Sequence, residues 1–170
     1  MYDQHRSLFL FNDLTKKIIH ALKYNNQFWV RRFLQPYMQE FCVRPDNAAL
    51  LEATDIIIPI PLHKKKLKER GFNQSLLIAK NWQKIIKLPL EKNTLIRQLH
   101  TGTQTGLKKT ERKQNLKNAF MIKNSNPIIN KNILLIDDVH TTGTTLNEAA
   151  RRLKNHGAKQ VMALTIAIVP

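Results

Sequence analysis

The chain has 170 residues, 42% of them hydrophobic, which suits one globular domain with a substantial core and excludes a disordered chain. No apolar run approaches the ~20 residues of a membrane-spanning helix, and no basic segment followed by an apolar stretch indicates a signal peptide, so no membrane insertion is expected. Twenty-eight Lys and Arg against twelve Asp and Glu give a net charge of +16, which predicts polyanionic partners unless it reflects only a lysine-rich surface.

Two helices are predicted near the N-terminus. The first covers 12–26 and is capped by Asn12 or Asp13. Its apolar positions, which recur at helical spacing, are Leu14, Ile18, Ala21 and Leu22. A second helix is predicted over 28–41, broken or kinked at Pro36. Neither helix carries residues that indicate chemistry, so both are expected to cover the core.

A short buried strand is predicted at 55–61, and a basic segment follows it. The basic residues of this segment are Lys64, Lys65, Lys66, Lys68 and Arg70. The segment is predicted to be a loop, because a helix with an apolar face begins only near Asn73. At the end of a strand these charges either balance a phosphate-rich leaving group or hold a nucleic-acid backbone. A solvated lysine turn at 64–66 is the simpler alternative.

The residues with the clearest chemistry lie at 132–145. The apolar run at 133–136 predicts a strand buried on both faces, and Asp137 and Asp138 follow where that strand leaves the sheet. Carboxylates in this position can hold sugar hydroxyls. A threonine-rich loop around Gly143 then opens a helix, and backbone N–H groups at a helix N-terminus bind phosphate. The two features side by side predict a site for a phosphorylated ribose.

A helix and a second buried strand complete this region. The apolar face of the helix is formed by Leu146, Ala149, Ala150 and Leu153. Gly157 ends the helix, and a strand is predicted at 161–169. The order strand, helix, strand gives a crossover and therefore a parallel sheet, whose ligands bind beyond the carboxyl ends of its strands. We expect one α/β domain over 1–170, in which a helical segment at 1–54 covers an α/β core at 55–170.

The segment 132–145 resembles the ribose-phosphate motif of the type I phosphoribosyltransferases, in which an acidic pair is followed by Val and a Thr-Thr-Gly-x-Thr loop. The resemblance implies that Asp137 and Asp138 are the catalytic pair and hold the ribose 2′- and 3′-hydroxyls of phosphoribosyl pyrophosphate (PRPP). It also implies a phosphate loop that binds the 5′-phosphate of PRPP, made of Thr141, Thr142, Gly143, Thr144 and Thr145. His140 is a departure, because many members have an aliphatic residue there.

Two further blocks resemble the ComF family of competence-associated, phosphoribosyltransferase-like proteins. The first is Ile-Pro-Ile-Pro-Leu-His at 58–63, followed by Lys-Glu-Arg-Gly-Phe-Asn-Gln at 68–74. The second runs from Ile96 and Arg97 through Arg112 to Ala119 and Phe120. The resemblance implies the type I phosphoribosyltransferase fold, a parallel sheet flanked by helices. It also implies a role in DNA uptake during natural transformation, with single-stranded DNA as a ligand and a helicase-like competence protein as a partner.

Besides a regulator that senses PRPP, two functions remain open on this resemblance. One is a transferase that binds Mg²⁺ mainly through PRPP, with no direct protein ligand to the metal, and in which a nitrogen nucleophile displaces pyrophosphate. The basic residues at 64–70 and Arg112 then balance charge on the leaving group, and a flexible loop over 99–109 closes on the substrates. The other is a non-catalytic factor that handles single-stranded DNA and retains the PRPP-binding fold.

The number of cysteines indicates the cellular compartment in which the protein is expected. Members of the ComF family commonly begin with a four-cysteine zinc-binding segment, whereas this sequence has the single cysteine Cys42 and no Cys or His spacing typical of zinc. A chain without an internal disulfide fits a reducing compartment, so we expect a cytoplasmic protein.

Overall fold

The computed structural model of the protein describes residues 1–24, 27–99 and 118–170. The strands are β1 Gln4–Leu10, β2 Ile56–Pro59, β3 Leu95–Arg97, β4 Phe120–Ile122, β5 Asn132–His140 and β6 Gln160–Ile168. Within these ranges the helices are α1 Asp13–Tyr24, α2 Gln27–Val43, α3 Pro45–Glu52, α4 Lys64–Arg70, α5 Gln74–Ile86 and α6 Thr144–Asn155, and a 3₁₀ turn lies at Asn126–Ile128. No helix within the described ranges is both long enough and apolar enough to cross a membrane.

A four-stranded parallel sheet forms the centre of the fold, in the order β1, β6, β5, β2. The central strands β5 and β6 pair from Asn132 opposite Gln160 to His140 opposite Ile168. Residues 133–136 are fully buried, because both faces of β5 are covered, and this explains why they are continuously apolar rather than alternating. β3 and β4 form a separate antiparallel pair. The predicted parallel sheet flanked by helices is confirmed.

Helices cover the two faces of the sheet. One face packs against α1, α2, α3 and α5, and its core includes Leu34, Met38, Leu51, Trp82, Leu134 and Leu164. The other packs against α6 and the β3–β4 pair, and its core includes Phe120, Ile133, Leu135, Leu146, Ala149 and Leu153. Successive side chains of a strand point to opposite faces, so Ile133 and Leu134 enter different cores. The two predicted N-terminal helices are confirmed as α1 and α2, and α2 continues past Pro36.

The N-terminal segment differs from the prediction. The sequence predicts a helical cover over 1–54, but Gln4–Leu10 is an edge strand of the sheet, parallel to β6. Asp3 anchors its start, because its N–H donates to the Val161 carbonyl at 2.7 Å and its carboxylate accepts the Val161 N–H at 2.8 Å. The expected start of the α/β core at 55 is therefore wrong. β1 depends on pairing with the last strand of the chain, and local periodicity does not report such a tertiary effect.

The basic segment after β2 also differs from the prediction. Residues 64–70, predicted as a loop, form helix α4, which is capped by His63 and ended by Gly71 at a φ of +80°. Within this described helix no side chain is buried, so it lacks the apolar periodicity by which a sequence reveals a helix. The predicted start of the next helix near Asn73 is confirmed, because the Asn73 side chain accepts the N–H of Ser75 at 3.0 Å and caps α5.

Candidate functional site

The acidic pair lies at the carboxyl edge of the parallel sheet. β2 ends at Pro59, opposite Ile136, whereas β5 continues through Asp137 and Asp138 to His140. The two carboxylates are therefore part of β5 rather than residues that follow it, which corrects the prediction. Both are buried, with 9% and 8% of their surface exposed. They lie just beyond the end of the neighbouring strand β2, at the edge where open parallel sheets bind their ligands.

Helix α5 presents its N-terminus to this pair. Ser75 donates from Oγ to Oδ1 of Asp137 at 2.8 Å, and Gln74 donates from Nε2 to Oδ2 of Asp138 at 3.4 Å. Arg70, the last residue of α4, donates to Oε1 of Gln74 at 2.6 Å and joins the same network. The positive end of the α5 dipole stabilises negative charge here as well. Two adjacent buried carboxylates repel each other, and these donors offset that repulsion.

Arg97 supplies positive charge to the site. It ends strand β3, and its guanidinium lies 5.6 Å from the centre of the Phe120 ring. Burial lowers the pKa of Arg97, and the negative charge of Asp137 opposes that shift. A guanidinium remains protonated at any physiological pH, so Arg97 is a permanent countercharge to Asp137. The sequence marks Arg97 as a family signature residue but does not place it beside the acidic pair.

The phosphate loop follows β5 directly and leads into α6. Thr141 and Thr142 are exposed, and Gly143, at a φ of +68°, occupies the N-cap position of the helix. The hydroxyls of Thr142 and Thr144 are hydrogen-bonded to each other at 2.7 Å. The cap of α6 makes no side-chain hydrogen bond, and its first turn carries no acidic residue. The Thr144 N–H makes a long contact of 3.5 Å with Oγ1 of Thr142. The positive end of the α6 dipole favours an anion at this turn, as the predicted 5′-phosphate site requires.

The basic residues predicted as ligand contacts lie partly at this edge. α4 follows the carboxyl end of β2, and its side chains at Lys64, Lys65 and Lys68 are exposed, while Lys66 and Arg70 are half-buried. Arg70 is connected to the acidic pair by the hydrogen bonds through Gln74 described above. Arg112 lies outside the described residues. So does nearly all of the loop predicted to close over the substrates at 99–109.

The donor chemistry of the site suits a hard cation that is shared with an oxygen-rich ligand. Across the described ranges, no three His, Cys, Asp or Glu side chains cluster closely enough to hold a metal ion by themselves. The two buried carboxylates, Asp137 and Asp138, offer oxygen atoms, the ligand type that Mg²⁺ prefers, and Mg²⁺ commonly completes its shell with water and substrate phosphates. The residues present fit a metal that arrives with its ligand.

Comparison with known proteins agrees with this geometry. Residues 83–169 match the sequence pattern of the phosphoribosyl transferase domain family. The chain is 35% identical over 153 residues to competence protein F of Haemophilus influenzae, covering 88% of this chain and 66% of that protein. It is 34% identical over 166 residues to competence protein ComFC of Bacillus subtilis, covering 96% of this chain and 63% of that protein. The chain thus spans a little under two thirds of the length of these curated relatives.

A solved structure supports the fold. The structure of the allosteric regulatory enzyme of purine biosynthesis superposes on the protein with a TM-score of 0.50, covering 79% of this chain and 25% of that one. The two sequences are 19% identical over this match. At that identity the similarity concerns the fold alone.

Proposed function

The chain belongs to the phosphoribosyl transferase domain family and, within it, to the ComF type, and on this premise we propose that its site binds PRPP. The observation that carries the proposal is the buried pair Asp137 and Asp138, placed by β5 immediately before a phosphate loop at the N-terminus of α6. Carboxylates accept hydrogen bonds from vicinal hydroxyls, and helix N-termini bind phosphate. A ribose with a 5′-phosphate presents both groups.

Each part of the site has a role in this proposal. Asp137 and Asp138 accept the ribose hydroxyls and orient the ring, and Ser75 and Gln74 keep the carboxylates in place. The phosphate loop holds the 5′-phosphate through its backbone N–H groups. Mg²⁺ that arrives with PRPP would lie near the carboxylates of Asp137 and Asp138 and would supply positive charge for the leaving group. Arg97 balances the charge of Asp137 and is positioned to favour an anionic ligand.

The reaction that such a site supports is pentosyl transfer. A nitrogen nucleophile forms a bond to the anomeric carbon, the bond from that carbon to the pyrophosphate oxygen breaks, and pyrophosphate leaves with the electron pair. The proton of the nucleophile passes to solvent or to the leaving group. Accurate placement of both reactants supplies much of the rate, because it converts an encounter in solution into a step within one complex.

A second function, handling of single-stranded DNA during DNA uptake, is favoured by the exposed basic side chains of α4 and by the net charge of +16. The two relatives compared above are named competence proteins, which agrees with this role. A lysine-rich surface binds a phosphate backbone without reading its sequence. In this proposal the protein acts in the cytoplasm beside a helicase-like competence protein, and PRPP binding is retained with or without transfer.

Two titrations on one preparation separate these functions. Calorimetry with PRPP is performed with and without Mg²⁺, and fluorescence anisotropy with a labelled oligothymidylate is performed over a range of salt concentrations. We expect Mg²⁺-dependent PRPP binding and DNA binding that weakens steeply with salt. Absence of PRPP binding would reject the ribose-phosphate site. Absence of DNA binding at low salt would reject the DNA-handling role and leave a basic transferase.

A further inference from the structure

Three aromatic side chains meet where the N-terminal segment reaches the end of β5. The hydroxyl of Tyr2 is hydrogen-bonded to Nε2 of His140 at 2.9 Å, although 138 positions separate them in the chain. The rings of His5 and His140 stack with their centres 4.3 Å apart and an angle of 29° between their planes. The Tyr2 ring meets the His140 ring edge-on at 6.1 Å. We refer to Tyr2, His5 and His140 as the aromatic cluster.

The aromatic cluster lies directly against the phosphate loop. A Cβ atom built on Gly143 would lie 2.8 Å from Nε2 of His140 and 3.2 Å from the hydroxyl of Tyr2. A side chain at position 143 would therefore collide first with the two atoms that form the Tyr2–His140 hydrogen bond. Gly143 can lie this close to the Tyr2–His140 hydrogen bond because it has no side chain. A larger residue at this position would displace Tyr2 or His140.

Further contacts hold the aromatic cluster in the fold. Burial lowers the pKa of His140 and, together with the charge of His140 itself, lowers the pKa of His5 to about 4. The Tyr2 hydroxyl donates to Nε2 of His140 when Nδ1 carries the ring proton and accepts from Nε2–H in the other tautomer, so the pair is hydrogen-bonded in either case. His5 is held in turn by a contact of 3.0 Å between its Nε2 and Oγ1 of Thr165, the residue opposite Asp137 in the sheet. The cluster thus joins the loop to the central strands.

We infer that Tyr2 and His140 are positioning residues for the phosphate loop, whose hydrogen bond sets the place of Gly143 and hence of the first N–H groups of α6. The inference rests on the proposed function, because it assigns the loop to a 5′-phosphate. It explains why a polar ring is compatible with position 140, where many family members have an aliphatic side chain. It also gives β1, which the sequence does not reveal, a part in the site.

Three variants test the inference: Tyr2→Phe, which removes one oxygen atom, His140→Phe, which retains an aromatic ring but removes the nitrogen that bonds to Tyr2, and the double variant. Calorimetry with ribose 5-phosphate measures each affinity. We expect each single variant to bind about 3- to 10-fold more weakly, the range that one hydrogen bond of this type supplies. The double variant should bind no more weakly than the weaker single variant, because both changes remove the same bond. Tyr37→Phe, at an exposed tyrosine of α2, is the matched control.

A second readout does not depend on ligand. The amide resonances of residues 141–145 are compared between the wild type and Tyr2→Phe in the absence of any phosphate. A displaced loop shifts these resonances, whereas they remain in place if Tyr2 merely fills space. Equal affinities and unchanged resonances would overturn the inference. If the wild type binds neither ribose 5-phosphate nor PRPP with Mg²⁺, the proposed function fails, and the resonances alone decide whether Tyr2 positions the loop.

Discussion

The acidic pair and helix α4 lie at the same edge of the sheet, but they differ in burial and in the number of hydrogen bonds that fix their side chains. Asp137 and Asp138 are buried and engaged by Ser75 and Gln74 from α5. In α4 no side chain is buried, and its lysines at 64, 65 and 68 project into solvent. A buried charge is costly unless its partners are in place, whereas an exposed charge is screened and can be exchanged at little cost.

This difference matches the two ligands proposed above. A small ligand of fixed shape requires groups held in one arrangement, which the network around the acidic pair provides. A flexible polyanion requires only positive charge along a surface, which α4 offers without fixed geometry. We therefore expect substitutions at the acidic pair to change ligand affinity strongly and specifically. Substitutions in α4 should change it by small, additive amounts.

Removal of both acidic charges should have the largest effect. In Asp137→Asn, Asp138→Asn the shape of the side chains is retained, but the charged acceptors for the ribose hydroxyls are removed. Hydrogen bonds to charged groups contribute about 1.5–3 kcal/mol each, so PRPP affinity should fall by about 100-fold or more. Calorimetry with PRPP and Mg²⁺ measures the decrease. The control is Glu69→Gln, an exposed acidic residue of α4, and equal affinity in the double variant and the wild type would contradict the site assignment.

Alanine at Gly143 should be the next largest change. The φ of +68° disfavours any side chain by about 1–2 kcal/mol, and the added Cβ would also press against His140 Nε2 at 2.8 Å. Gly71→Ala is a matched control, because its φ of +80° carries the same backbone cost and nothing lies within 4 Å of its Cβ. Urea unfolding should show Gly143→Ala to be less stable than Gly71→Ala by about 1 kcal/mol or more. Equal decreases in stability for the two variants would mean that the phosphate loop accommodates the added Cβ atom without a measurable energetic cost.

Local pattern accounts for the part of the fold that the sequence predicts. The strand at 133–136, helix α6 and the strand after it have apolar positions at the spacing of their elements, and the structure confirms all three. The acidic pair and the phosphate loop are contiguous in the chain, so one motif reveals both. Elements without an apolar face, such as α4, and elements stabilised by a distant partner, such as β1, carry no comparable signal.

The interactions that complete the candidate site come from tertiary packing. Ser75 and Gln74 are more than sixty positions away from the carboxylates that they contact. Arg97 approaches Asp137 from the separate antiparallel pair of β3 and β4, and Tyr2 reaches His140 from the first residues of the chain. A charged residue at the end of the apolar strand Leu95–Arg97 is a sequence signal that could have marked Arg97. The spacing of residues in the sequence does not show that the partner of Arg97 is Asp137.

Acid should destabilise the protein through His5. Its pKa in the folded protein is lowered to about 4, first by burial and then by the charges of His140 and Arg6. Between pH 6.5 and 4 the unfolded chain binds a proton that the folded protein excludes, so stability falls as the pH falls. We expect the free energy of unfolding to decrease by about 1 kcal/mol between pH 7 and 5, after allowance for the solvent that still reaches the ring.

Urea unfolding at pH 7, 6 and 5 measures this dependence, and His5→Phe, which retains a stacking ring but cannot be protonated, should flatten it. Burial alone would raise the pKa values of Asp3 and Glu148, but hydrogen bonds to Lys154 and Arg151 lower them, so these carboxyls titrate below this range. An unchanged slope in His5→Phe would show that another group controls the acid response.

The smallest effect on the fold is expected for the exposed lysines of α4. The variant Lys64→Ala, Lys65→Ala, Lys68→Ala should change the free energy of unfolding by no more than about 0.5 kcal/mol, as is usual for surface substitutions. PRPP affinity should largely survive, because the carboxylates and the phosphate loop are unaltered. Single-stranded DNA affinity should weaken for all sequences. The slope of log affinity against log salt concentration should flatten by about 0.7 for each phosphate that α4 no longer neutralises.

The control removes the same charge from other exposed positions, with Lys16, Lys17 and Lys80 changed to Ala. Anisotropy titrations that show equal slopes for the two triple variants would mean that DNA responds to net charge alone and that α4 is no distinct binding surface.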